Sequence, residues 1–319
     1  MAIGGYNQFK FIVNNTIHDA ACRFQSARAA LYAFLKASGA RKIYLPNYLC
    51  DSILPAINSL KIDIEWYEIG TNLLPIKVID SIKEGEYFLL VNYFGLLTDK
   101  ITTLVAKEPK SFIVDNSQAL FSPHIANTTS IYSFRKFLAI PDGGALYTSY
   151  SITAPEIEFA GEKHLAHLML RAAGEVQRGY SYFLQAEQAL EDYIPQKMSK
   201  VSEYLLSCND LEFIKDKRQS NYQLLHDKFN EINRFNLPLK NNIPLCYPLF
   251  LPFNVSKICT DLVQKGIYLP RYWPALVSQD LNTEFFNNTL FLPVDERLDA
   301  ESMTFLCSNI ISAIEQHDG

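Results

Sequence analysis

The chain has 319 residues, 48% apolar and 20% charged, an ordinary globular composition long enough for one large domain and a smaller one. Lys and Arg number 29 against 34 Asp and Glu, for a net charge of −5. With no basic stripe in the sequence, this mildly acidic balance argues against a nucleic-acid partner.

Cys22, Cys50, Cys208, Cys246, Cys259 and Cys307 lie far apart and form no Cys-x-x-Cys pair. They read as reduced thiols of a cytoplasmic protein, not a disulfide framework. The opening MAIGGYNQFK shows no charged leader followed by an apolar run, so no signal peptide is expected. The most apolar stretch, Tyr87 to Leu97, is too short to cross a bilayer, so no membrane partner is expected either.

In chain order, a helical pattern runs from Ser26 to Ser38 and is closed by Gly39. The apolar run Lys42–Leu45 follows, bounded by Pro46, then a helical stretch over Cys50–Leu60 in which Pro55 disturbs the start. Strands are expected at Ile62–Ile69, Tyr87–Tyr93, Ser111–Val114, Ser130–Phe134 and Ala145–Thr148. Helical and strand signals that interleave in this way predict an α/β fold with a mostly parallel central sheet covered by helices.

From Glu156 the character changes. One long helix is expected over Glu162–Tyr193, then Ser199–Leu206, a break at Ser207–Asp210, and a helix over Leu211–Phe235. Short strand signals at Leu245–Phe250, Ile267–Leu269 and Leu290–Leu292 are framed by helices over Ser256–Lys265 and Ala300–Gln316. The expected division is a large domain over residues 1–235 and a small C-terminal α+β domain over 236–319.

The chemistry concentrates between Ser111 and Tyr147. Asp115 stands where one apolar run ends, and Lys136 stands just after the next. Neighbouring strands of an open parallel sheet deliver their C-terminal ends to a common crevice where ligands bind. A carboxylate and an amine placed there suit pyridoxal phosphate (PLP). The amine forms a Schiff base with the cofactor aldehyde, and the carboxylate keeps the pyridinium nitrogen protonated. Taken alone, the pair also fits a solvated Asp and a solvated Lys, both common at strand ends.

The motifs around the pair are more specific. DNSQA at Asp115–Ala119, followed by SFRKFLAIPDGGALYT at Ser133–Thr148, resembles the DegT/DnrJ/StrS sugar aminotransferases. These are an aspartate aminotransferase-like branch of the fold-type-I PLP enzymes. The resemblance extends to SARAALYAFLKASGARKIYLPNYLC, to LLVNYFGLLTDK with Asp99, and to the closing FLPVDERLDAESMTFLCSNI. It is densest over residues 26–148, continues over 245–316 and thins between them.

The resemblance implies a homodimeric PLP-dependent transaminase with a small C-terminal α+β domain. Its acceptor would be a keto-sugar nucleotide used in polysaccharide or secondary-metabolite biosynthesis, with glutamate as amino donor. Lys136 would be the anchor and the proton shuttle. Asp115 would hold the pyridinium, Gln118 the ring hydroxyl region and Ser133 the phosphate. The Ala27 and Arg28 backbones at a helix start would meet the phosphate; Ser26 also reads simply as an N-cap.

Departures from the family pattern concentrate on the substrate side. Its ring-stacking aromatic falls on or near Cys50, with Tyr48 two residues earlier, and either could cover the ring. The interval from Asp115 to Lys136 is short. Arg135, beside the lysine, reads as a contact to phosphate or substrate or as an exposed cation. The family's central Gly-x-Asn-x-Arg is reduced to Arg178–Gly179–Tyr180–Ser181, without the asparagine, and the opening segment is short. Arg271, Tyr272 and Trp273 form a polar-aromatic cluster that is a further candidate for substrate contact.

His164 and His167, three apart on a helix, read as a surface pair, not a metal site, and His124 reads as structural. Two other readings stand: a PLP enzyme of another reaction type on a non-sugar substrate, and a non-catalytic relative that only binds ligand.

Overall fold

The structure is a computed structural model and describes residues 6–78, 81–273 and 280–318. Its centre is a seven-stranded sheet in the order β1-β7-β6-β5-β4-β2-β3. The strands are β1 (Cys22–Phe24), β2 (Lys42–Pro46), β3 (Asp63–Tyr67), β4 (Glu86–Val91), β5 (Phe112–Asn116), β6 (Thr129–Ser133) and β7 (Gly144–Tyr147). From β3 through β6 every neighbour is parallel. β7 runs antiparallel to β6, and β1 antiparallel to β7.

The central strands are near-continuously apolar, as YFLLV in β4 and FIV in β5, because both faces are covered. On this sheet pack α1 (Ala27–Ser38), α2 (Leu54–Ser59) and α3 (Thr98–Val105). α1 starts at its N-cap Ser26 and ends at Gly39, as expected from the sequence. The edge strand β1 and the short helix α3 escaped the sequence reading. One is three residues long, and the other has no side-chain cap at its start.

The expected long helix over Glu162–Tyr193 is interrupted. A 3-10 turn at Gly161–His164 precedes α4 (Ala166–Ala172) and α5 (Val176–Ala189). Between them Gly174 takes φ +82°, and the Glu175 N–H turns back to Leu170 O at 2.8 Å. That left-handed step reverses the chain, so the two helices form a hairpin. α6 (Lys200–Ser207) follows, capped by Ser199.

α7 (Leu211–Phe229) starts at its cap Asp210 and stops short of the expected Phe235. Beyond it, Asn233 is committed to the next strand: its Nδ2 donates to Pro248 O, and its Oδ1 accepts from Phe250 N. A second, two-stranded antiparallel sheet pairs β8 (Cys246–Phe250) with β9 (Thr289–Pro293). α8 (Ser256–Gln264), α9 (Asp280–Asn288) and α10 (Ala300–Asp318) accompany it. The strand expected at Ile267–Leu269 is absent: Ile267 N donates to Leu262 O and closes α8 instead. One apolar cluster runs from α1 and the large sheet through to the small sheet and α10.

Candidate active site

β5 and β6 are parallel, so Asp115 and Ser133 reach the same edge of the sheet. β7 begins at that edge, with Gly144 opposite Ser133 on one side and Phe24 on the other. From Phe24 the chain turns directly into α1. A Cβ on Gly144 would lie 2.3 Å from Ser26 C and 2.5 Å from Ala27 N. Only glycine lets the helix start sit directly on the strand.

The Ser26 side chain takes the Ala29 N–H at 3.1 Å, and Ser26 O takes that of Ala30. The N–H groups of Ala27 and Arg28 lie in the first turn, where no intrahelical acceptor exists. They mark the positive end of the helix dipole.

A cavity of about 220 Å³ opens here, lined by Ala27, Arg28, Cys50, Asp115, Gln118, Ser133, Arg135 and Lys136, among others. Asp115 is 8% exposed, and its carboxylate accepts the Ser117 N–H at 2.8 Å. Gln118 is buried, and its Oε1 accepts the Phe94 N–H at 3.0 Å. Phe94 holds φ +57° to present that donor, a conformation a bulky residue rarely adopts. Gln118 Nε2 is buried with no partner among the described residues.

Lys136 sits in a tight turn in which the N–H groups of Phe137 and Leu138 both donate to Phe134 O at 3.0 Å. Phe134, Phe137 and Leu138 are buried in a second apolar cluster beneath the turn. The Arg218 guanidinium lies 4.7 Å over the Phe137 ring. Arg135 and Lys136 are left on the cavity side. Lys136 is exposed, and no hydrogen bond or ion pair engages its amine among the described residues.

The opposite wall comes from α5 and the chain that follows it. Glu187 forms an ion pair with Arg135, and Leu190 O accepts from Arg28 Nη1 at 3.0 Å. Gln25 fastens the next stretch, donating to Ile194 O and accepting from Gln196 N. Glu187, Leu190 and Trp273 line the cavity; Trp273 belongs to the Arg271–Trp273 cluster singled out in the sequence, whereas Glu187 and Leu190 were not expected there. No local motif marks these two; Glu187 is 52 residues from its partner Arg135.

Three candidates lie elsewhere. The Tyr48 ring is buried against Tyr93, Trp273 and Phe285, and its hydroxyl donates to Tyr272 O at 2.5 Å. Burial pushes its phenol well above the ordinary value. Of the two residues weighed for covering a ring, Cys50 is at the cavity and Tyr48 is not. Arg271 is turned away: its guanidinium donates to Phe286 O at 2.9 Å and lies over the Phe286 ring. Tyr272 is packed on Phe291 and Phe94.

His124 stacks on Tyr147 and shares a hydrogen bond with Ser130 away from the cavity. His164 and His167 pack on Phe159 and Phe183. No metal-binding group of three occurs among the described residues.

No family model and no curated protein matches the chain. Solved structures do. PseC from Helicobacter pylori, an aminotransferase involved in pseudoaminic acid biosynthesis, is 16% identical; the match covers 93% of this chain and 87% of that one at a TM-score of 0.63. The aminotransferase TlmJ from Streptoalloteichus hindustanus is 12% identical over 94% and 87%, at 0.68. A DegT/DnrJ/EryC1/StrS aminotransferase from Brucella abortus is 14% identical over 92% and 85%, at 0.62. Over nearly its whole length the chain has the fold of these aminotransferases, the α/β architecture of the fold-type-I PLP enzymes.

Proposed function

We propose that the chain is a PLP-dependent aminotransferase of the DegT/DnrJ/StrS type. The observation that carries this reading is the convergence of Asp115, Gln118, Ser133, Lys136 and the start of α1 on one cavity. The residues fit the cofactor. The Ala27 and Arg28 N–H groups and Ser133 Oγ would hold its phosphate, on a helix start that Gly144 admits against the strand. The unpartnered Gln118 Nε2 would donate to the ring hydroxyl oxygen. The Asp115 carboxylate would hold the proton on the ring nitrogen.

Bound there, PLP would supply an aldehyde for amine exchange and a protonated ring that withdraws electrons. Lys136 Nζ would anchor it and, once released by amine exchange, would move a proton between the substrate carbon and the cofactor's former aldehyde carbon.

The acceptor we propose is a keto-sugar nucleotide, with glutamate as donor. The resemblance of DNSQA and SFRKFLAIPDGGALYT to sugar aminotransferases supports this, and neighbours named as sugar aminotransferases support the sugar acceptor. We also propose a cytoplasmic homodimer with its active sites near the interface. The exposed apolar stripe Val176, Tyr180, Phe183 and Leu184 on α5 supports it, since the same helix lines the cavity. For the small domain we propose a boundary ahead of α7, not at 235. Arg218, Asn221 and Tyr222 of that helix bond to Leu245, Val294 and Leu237.

The test is direct. Protein incubated with PLP should turn yellow, carry a borohydride-fixed label on Lys136 and bleach with glutamate. Protein unable to take up PLP refutes the reading. Colour with no response to any amino donor favours a PLP reaction of another type.

A further inference from the structure

An aminotransferase must hold the α-carboxylate of its amino donor beside the amine that anchors the cofactor, and a guanidinium is the fitting group. The cavity is lined by three cationic side chains, Arg28, Arg135 and Lys136. Lys136 is the proposed anchor. Arg28 is spent on the other wall: its Nη1 donates to Leu190 O, and it belongs to the helix start that faces the phosphate end. Arg271, the candidate from the segment after α8, is tied to Phe286 O. Arg135 is left. It follows β6 in the same turn as Lys136, on a base fixed by Phe134, Phe137 and Leu138.

Arg135 already holds a carboxylate, that of Glu187. The Arg135 side chain is 18% exposed, whereas that of Glu187 is 46% exposed. The cation is therefore the fixed member of the pair, and the glutamate can leave toward solvent.

We propose that Arg135 is the seat for the α-carboxylate of the amino substrate, and that Glu187 occupies this seat until the substrate arrives. The assignment rests on the aminotransferase reading. Exchanging one carboxylate for another leaves the charge of the site unchanged. A half-exposed ion pair is weak, so its loss costs little. An arginine kept paired is also not left as an uncompensated cation within the cavity wall, and it offers free phosphate or sulfate a poor target while Glu187 is in place. Glu187 thereby sets the threshold that an incoming carboxylate must exceed.

The experiment is calorimetric titration of the PLP-loaded protein with succinate, a carboxylate that cannot react, alongside titration of the unloaded protein with PLP. Arg135→Gln should weaken succinate binding about tenfold to a hundredfold and leave PLP uptake unchanged. Glu187→Gln should tighten succinate binding by up to about fivefold, by removing the competitor. A gain of affinity cannot come from damage to the fold.

Unchanged succinate affinity in Arg135→Gln overturns the assignment, as does weaker binding in Glu187→Gln. Loss of PLP uptake in Arg135→Gln would assign the guanidinium to the phosphate and overturn it too. Failure of the unaltered protein to take up PLP refutes the aminotransferase reading, and the assignment falls with it.

Discussion

Asp295, two residues past β9, is 9% exposed and receives Arg297 Nε at 2.6 Å and Nη2 at 3.0 Å. Burial disfavours its charge, but the hydrogen bonds and charge of Arg297 outweigh that, holding the carboxyl below the usual range. A carboxyl whose pKa is depressed on folding contributes stability above its unfolded pKa and loses it as pH falls through the folded value. Arg297 is more than half exposed, so the contribution is under about 1 kcal/mol. Asp295→Asn is expected to lower the urea midpoint at neutral pH, with the difference disappearing below the usual carboxylate range. A difference that persisted in acid would remove the ion pair as its cause.

Single residues were legible where a motif and a strand end coincide. Asp115, Gln118, Ser133 and Lys136 each follow or close an apolar run, and the parallel sheet brings such ends together. Tyr48 and Cys50 could not be separated from sequence, because which of two nearby side chains faces a cavity depends on packing. Here Tyr93, Trp273 and Phe285 take the tyrosine. Glu187 and Leu190 reach the cavity from far along the chain with nothing local to announce them, and Trp273 was marked only by the polar-aromatic cluster it closes.

Among elements, the junction of β7 with α1 carries the most consequence. Gly144→Ala would force a methyl group against Ser26 and Ala27 backbone that a flexible neighbour cannot yield. Overpacking of this kind costs about 1–3 kcal/mol. The helix start should shift, so the variant is expected to melt earlier and to lose more PLP affinity than its lowered stability alone explains. Melting curves and absorbance titrations read the two effects separately; unchanged melting would mean that the helix is not seated on the strand.

Most elements of the large sheet were legible because buried parallel strands are apolar runs bounded by Pro, Gly or Asp. The hairpin of α4 and α5 was missed because a single glycine in a helical pattern is tolerated more often than it reverses a chain. The last residues assigned to α7 have helical composition, but Asn233 gains more from joining β8.

For the whole molecule, the apolar stripe on α5 makes the proposed dimer testable. Tyr180 is 61% exposed and Leu184 50%, one helical turn apart on the same face. A double change to Glu at these positions should leave helix content intact while light scattering shows monomer in place of dimer. A dimer that survived it would place the interface on another face.

The antiparallel edge also bears on when the site can exist. Among the described strands β1 pairs with β7 alone, Cys22 opposite Leu146 and Phe24 opposite Gly144, and contacts that span so much sequence are slow to form. On the ribosome the first strand must wait, unpaired, until its partner has been made. Glu187 and Trp273 arrive later still. The pocket is therefore among the last parts of the protein to be completed, and capture of a ligand there would report a finished chain.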